Sequence, residues 1–182
     1  VVPGLLKSLS LARDMGLKIP IIYNTNGYDA LPTLKLLDGV VDIYLPDLKY
    51  AYSATAKEIS RIQEYPEFSH EAVLEMYRQV GDLVFDETGL AKRGVLVRHL
   101  VMPDAVEDAQ HIMRHLAREI SPHTYVNVMS QYRPAGKVNT KKYPEINRNI
   151  THGEVETTIS VAREEGLYRF DSRESMSKIF RE

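Results

Sequence analysis

The chain has 182 residues, 43% hydrophobic and 26% charged, and its 23 lysines and arginines against 25 aspartates and glutamates leave a formal charge of −2. That length and balance fit one globular domain with a sizeable core, and basic residues dispersed without net positive charge argue against nucleic acid as a partner. The absence of cysteine excludes disulfides, thiolate nucleophiles and cysteine-ligated iron within these residues, and with no apolar run near the roughly 18 residues of a membrane span and no signal-peptide pattern, a cytoplasmic protein without membrane contact is expected.

Residues 4–15 read as an amphipathic helix with Leu5, Leu9 and Ala12 on one stripe and Gly16 as its stop. The apolar run 19–23 then closes in Asn24, Thr25 and Asn26, and the run 40–45 closes at Asp47 and Lys49. A short helix joins them, with Asp29 as N-cap, Pro32 in the first turn and Gly39 at the end. Such runs read as parallel strands that deliver side chains at their carboxyl ends. Strand alternation puts Asp47 and Lys49 on one face. A carboxylate and an ammonium there call for a partner or a ligand, and the spacing suits a structural ion pair as well as a site.

Ser53 reads as the cap of a helix to about residue 62. Ser69 reads as the cap of a second helix that buries Val73, Met76, Tyr77 and Val80 and stops at Gly81. Residues 83–94 read as a turn-rich loop, and 95–102 as an apolar strand interrupted by Arg98 and His99, which cannot face the same layer. Asp104 and Glu107 suggest a capping box for a helix with Ala105, Ala109, Ile112, Leu116 and Ile120 inward. His111 and His115 stand at i, i+4 but lack the glutamate of a zinc-protease motif, and their place beside Arg114 and Arg118 predicts a solvated face. His70, His123 and His152 read as cap or linker residues.

A strand over 124–129 ends in Ser130, Gln131, Tyr132 and Arg133. About twenty residues rich in Lys, Asn and Pro follow, a length typical of lids. A helix over 154–165 capped by Thr151, a short strand over 168–170 and a charged tail over 171–182 complete the chain. Strands alternate with helices, and every crossover is long enough to be right-handed. The expectation is an α/β fold over residues 1–170, a partial parallel (β/α) barrel made of the later strands only, since four or five strands do not close an eight-stranded barrel. The chain opens on a helix rather than a strand, which reads as a piece of something longer, and an unpaired first edge predicts self-association.

Four stretches carry a resemblance: Tyr23-Asn24-Thr25-Asn26-Gly27-Tyr28, Asp42 to Lys49, Gly89 to Pro103, and Met129 to Pro134. In this order they resemble the radical S-adenosylmethionine (SAM) enzymes, in the branch similar to pyruvate formate-lyase activating enzyme, over nearly the whole chain. The resemblance implies a partial (β/α)6 barrel with SAM across the strand ends beside a 4Fe–4S cluster. The cluster reduces SAM, and the resulting 5′-deoxyadenosyl radical takes a hydrogen atom from a substrate, which in the better-known relatives is a glycyl radical enzyme.

The resemblance further implies that Asn24 and Thr25 lie near the SAM carboxylate and a monovalent cation, and that Asp47 and Lys49 form the Asp-Leu-Lys motif of the same site. Arg98 corresponds to a strand-end arginine close to SAM, Gln131 joins the cofactor-binding set, and Arg133 falls where a histidine contacts the adenosine. Asn24 departs from the relatives' carboxylate, and Arg133 from their histidine. In charge terms, Asp47 suits the ammonium of the methionine part, and Lys49 or Arg98 suits its carboxylate.

The relatives' Cys-x3-Cys-x2-Cys loop and Gly-Gly-Glu-type motif have no counterpart here. The cluster ligands therefore lie outside this chain, the N-terminal cluster-binding portion of the same barrel is the expected partner, and no residue here is assigned as catalytic or metal-ligating. Two other readings compete: a Schiff-base Lys49 in an aldolase-like barrel, disfavoured by the adjacent Asp47, and a non-catalytic split or degenerate half that binds a nucleoside or a partner polypeptide. The substrate, a protein or otherwise, is not specified by these motifs.

Overall fold

The computed structural model describes residues 2–171, and the charged tail expected beyond Asp171 lies outside the described residues. The elements are α1 (Val2–Asp14), β1 (Ile22–Thr25), α2 (Leu31–Lys35), β2 (Ile43–Pro46), α3 (Ser53–Ser60), α4 (Tyr65–Val80), β3 (Val84–Phe85), β4 (Ala91–Leu100), α5 (Val106–His115), β5 (Tyr125–Met129), α6 (His152–Glu164) and β6 (Arg169–Phe170). Five parallel strands stand in the order β1-β2-β4-β5-β6, and β3 lies antiparallel on β4. Strands that follow one another in chain order are what right-handed crossovers give when each helix packs on the same side, so the sheet curls as part of a barrel wall. No described helix is long and apolar enough to cross a membrane.

Alternation sorts the side chains into two faces. Tyr44, Val95, Val97 and Val126 point outward and meet Leu34, Met76, Ile112, Met113, Leu116 and Ala162 of the helices in the main core. Ile43 and Leu96 belong to the inner face, where they form a smaller cluster with Leu83, flanked by Leu45 and Tyr125. The helices fold where their apolar stripes demand, and α4 buries Ala72, Val73, Met76 and Val80 with Gly81 at its C-cap. At the β1 edge, α1 buries no residue, and Ile19 and Ile22 are exposed. That edge is open among the described residues.

Several expected helix starts are displaced. Helix α4 begins at Tyr65-Pro66, where a proline suits the first turn, and Ser69 is buried inside it with its hydroxyl donating to the Pro66 carbonyl at 3.1 Å. Tyr52, not Ser53, caps α3, and Ala105 caps α5 without a side-chain bond, Asp104 being turned to φ 57°. The true capping box is Thr151 with Glu154 on α6. Asp29 caps nothing, because Ala30 is the N-cap of α2. The expected loop over 83–94 holds β3 and the start of β4. Asp86 organises the turn between them by accepting the Thr88 and Leu90 amides at 2.9 and 3.0 Å. Gly94, at φ 122°, lets β4 cross Asp82 and Leu83, where a Cβ would stand 2.4 Å from backbone atoms.

The expected solvated face around His115 is also corrected. His70, inside α4, stacks on His115 at the end of α5 with ring centroids 3.8 Å apart and planes 12° apart, and the Nε2 of each ring is enclosed with no hydrogen-bond partner among the described residues. Helix α5 there runs into a π-type turn, Leu116–Ile120, that keeps the ring against α4. Burial, and secondarily the neighbouring His115, pushes His70 down to about 4. Its folded value lies below the unfolded value of about 6.5, so the fold, which holds His70 neutral, keeps its full stability above pH 6.5 and loses it as pH falls toward 4. The unfolding free energy in urea is expected to fall by on the order of 2–3 kcal/mol between pH 7 and pH 4 through His70. The loss should flatten in His70→Phe, and an unchanged slope in that variant would refute the assignment.

Candidate functional site

Three strand ends meet on the inner face. Asn24 closes β1, Asp47 follows β2, and Arg98 lies two residues before the end of β4. Beyond Pro46 the β2 and β4 backbones meet again where Asp47 bridges to Arg98, and the Leu48 amide donates to the Arg98 carbonyl at 2.9 Å. The Arg98 guanidinium donates from Nε to Asp47 Oδ1 at 2.8 Å and from Nη2 to Asn24 Oδ1 at 2.8 Å, with Nη2 also 2.6 Å from Asp47 Oδ1. The other Asp47 oxygen, Oδ2, faces Lys49 Nζ at 3.3 Å. One carboxylate thus lies between two cations, and the fork of Arg98 ties three strand ends together. The cluster carries two positive charges against one negative. Both oxygens of Asp47 face cations of the cluster.

Thr25 does not join them. Adjacent strand residues leave on opposite faces, and the Thr25 hydroxyl turns to the Asp29 carboxylate while accepting the Gly27 amide at 3.2 Å. Tyr23 donates to the other Asp29 oxygen at 3.0 Å. Burial, followed by the Asp29 charge, holds the Tyr23 hydroxyl up at about 12, so it stays protonated and donating. Gln131 and Arg133 lie beyond β5 and are exposed, with Gln131 Nε2 3.1 Å from the Met129 sulfur. Among the described residues, neither makes a hydrogen bond or ion pair with the inner-face cluster.

Two further positions shape the site, Tyr65, which carries no signal in local sequence, and Gly27. Tyr65 reaches from α4 to the strand ends, where its hydroxyl faces the carbonyls of Asn26 and Asp47, each at 2.9 Å, and accepts the Lys49 amide at 3.2 Å. Burial raises its pKa well above the ordinary tyrosine value. Gly27, at φ 80°, lets the loop after β1 pass so close to β2 that a Cβ would lie 2.2 Å from the Asp47 carbonyl oxygen. Among the described residues, no three His, Asp or Glu side chains converge as a metal site.

No family model matches the chain. An uncharacterized protein of Methanocaldococcus jannaschii is 31% identical over 165 residues, which make up 91% of this chain and 44% of that protein. The chain thus spans less than half the length of the curated relative it matches. Among solved structures, a domain of pyruvate-formate lyase-activating enzyme from Bacteroides vulgatus aligns with a TM-score of 0.63 at 13% identity, covering 93% of this chain and 89% of that one. The likeness shows the fold, an α/β partial barrel with a parallel sheet.

Proposed function

We propose that this chain is the SAM-holding portion of a radical SAM enzyme, and that Lys49 and Arg98 receive the methionine carboxylate. The observation that carries the reading is the three-strand tie of Arg98 to Asn24 and Asp47 with Lys49 on the remaining oxygen. Its excess positive charge and its remaining N–H donors suit a carboxylate, and a rigid strand-end frame suits a ligand whose reacting atom must be held to within about an ångström. When bound, SAM supplies the group that abstracts a hydrogen atom from a substrate. The residues of this chain bind and orient: Asp47 fixes both cations, Asn24 fixes the Arg98 fork, and Tyr65 and Gly27 fix the loops that carry them. Thr25, Gln131 and Arg133 belong to the reading only through motif position, since none of them reaches the tie.

A 4Fe–4S cluster does not fit these residues, because there is no thiolate to hold it. In the proposal its ligands come from a further portion of the same barrel, for which the open β1 edge with exposed Ile19 and Ile22 offers a pairing surface. Activation of a glycyl radical enzyme is the extension of this reading to a protein substrate. The lack of cysteine also favours a second reading, a half that binds a nucleoside or a partner polypeptide without chemistry. An aldolase-like Lys49 fares worse, since its Nζ sits on a carboxylate rather than in the apolar pocket that such a nucleophile needs.

Anaerobic reconstitution with iron and sulfide, done with and without the flanking coding region and read by absorbance and low-temperature EPR, separates these readings. The longer protein is expected to show a cluster signal that shifts when SAM is added. A longer protein that forms no cluster would leave the binding-only reading in place.

A further inference from the structure

A second polar concavity lies beyond the ends of β2 and β4, bordered by Lys49 of the Arg98 cluster. Alternation sends His99 outward from β4, where it is 2% exposed and its Nδ1 lies 2.8 Å from the Leu48 carbonyl oxygen. That contact makes Nδ1 the proton-bearing nitrogen and leaves the lone pair on Nε2. Nε2 has no hydrogen-bond partner among the described residues, and the ring borders a cavity of about 200 Å³. Burial lowers the pKa of the imidazole, which keeps it neutral and accepting.

The cavity is built by the long segment after β5. Tyr132 donates to the Ile146 carbonyl at 2.8 Å, and Arg148 pairs with Asp104 at 2.9 Å and Glu154 at 2.7 Å. These contacts set the short turn Pro144–Ile146 over the loops that follow β2 and β4. The groups it presents are mostly acceptors. Glu58 and Glu145 line the cavity with no ion pair or hydrogen bond among the described residues, and the buried Asp108 stands below them. Asp108 accepts the Ala51 and Tyr52 amides at 2.6 and 3.3 Å and the Thr55 hydroxyl at 3.3 Å. The one cation among the described wall residues, Lys49, is turned to Asp47. Ile59, Leu100, Met102 and Pro103 supply apolar wall.

We propose that this cavity binds a primary ammonium on a short aliphatic chain, with His99 Nε2 accepting one of its N–H groups and Glu58 and Glu145 supplying the opposing charge. A wall of acceptors with unpaired carboxylates selects a ligand that only donates and carries positive charge. The volume holds about six water-sized groups at roughly 30 Å³ each, which matches an alkylammonium of four or five carbons, free or as a lysine side chain. The cavity shares Lys49 with the SAM reading, but none of the argument for an ammonium uses Asn24, Arg98 or the charge of Lys49.

The test is long-range ¹H–¹⁵N NMR of the His99 ring in the intact protein, titrated with n-butylammonium, sodium butyrate and n-butanol. A saturable shift of Nε2 with n-butylammonium alone is expected, and the affinity, followed in the variants by the backbone amide shifts of residues around the cavity, is weakened about five-fold or more in His99→Asn, whose amide can still donate to the Leu48 carbonyl, and about three-fold or more in Glu145→Gln at the rim. Equal shifts with butyrate, no shift with n-butylammonium up to about 20 mM, or unchanged affinity in Glu145→Gln would overturn the proposal. The rim variant decides the matter even if His99→Asn fails to fold.

Discussion

Arg98→Met is expected to weaken SAM binding by about 10–100-fold in the intact protein, while lowering the unfolding free energy by only about 1–2 kcal/mol. The guanidinium makes two kinds of contact. Toward the protein it donates to Asp47 and Asn24, and its side chain is 25% exposed, so water replaces much of what is lost and Lys49 still balances Asp47. Toward a carboxylate ligand it contributes charge and a planar fork that methionine cannot imitate. Arg98→Lys restores charge without the fork, and should fall between methionine and the wild type. Isothermal titration with SAM, paired with urea unfolding, separates the two contributions. A variant that loses stability and keeps its affinity would make the tie purely structural.

Gly27→Ala is expected to cost about 2–4 kcal/mol, seen as a fall in thermal midpoint of roughly 5–15 °C for a chain of this size. The left-handed backbone at φ 80° is unfavourable for alanine, and the added carbon would lie 2.2 Å from the Asp47 carbonyl oxygen and 3.4 Å from the Tyr65 hydroxyl. Nothing flexible is available to yield. The nearest atom is backbone, and that same carbonyl faces Tyr65 at 2.9 Å. Relief must move the β2 end, and with it Asp47, so affinity for SAM should fall in parallel with stability. A midpoint within about 2 °C of wild type would show that the close approach of these two loops is not a constraint.

The order of elements was legible because its causes are local. Apolar runs that close in polar residues mark β1 and β2, and helical stripes mark α4 and α5. The opposite orientations of Arg98 and His99 follow from strand alternation alone. The hairpin of β3 and β4 escaped because a two-residue strand has no periodicity to read, and its pairing is stabilised by a turn around Asp86 rather than by an apolar pattern. Asp29 looked like a cap because it precedes a helix, yet Tyr23 and Thr25 bind both of its oxygens.

The site was legible in part. Asn24, Asp47, Lys49 and Arg98 converge as a group, whereas Thr25 faces away from the tie, and Gln131 and Arg133 stay exposed beyond β5. Position in a motif does not fix direction from the sheet. Tyr65 and the stacking of His70 on His115 depend on α4 packing against distant strands and helices, a tertiary fact that no local window contains. His99 looked like an ordinary polar interruption of a strand, and only its burial and the return of the segment around Ile146 give it a cavity to face.

The most direct measurement compares the affinity of the intact protein for SAM and for decarboxylated SAM, in wild type and in the Lys49→Met, Arg98→Met double variant. If the carboxylate is received by these two cations, wild type prefers SAM by about 10-fold or more and the double variant binds both compounds alike. A wild-type protein that does not distinguish the two, or a double variant that distinguishes them as well as wild type, would contradict the assignment.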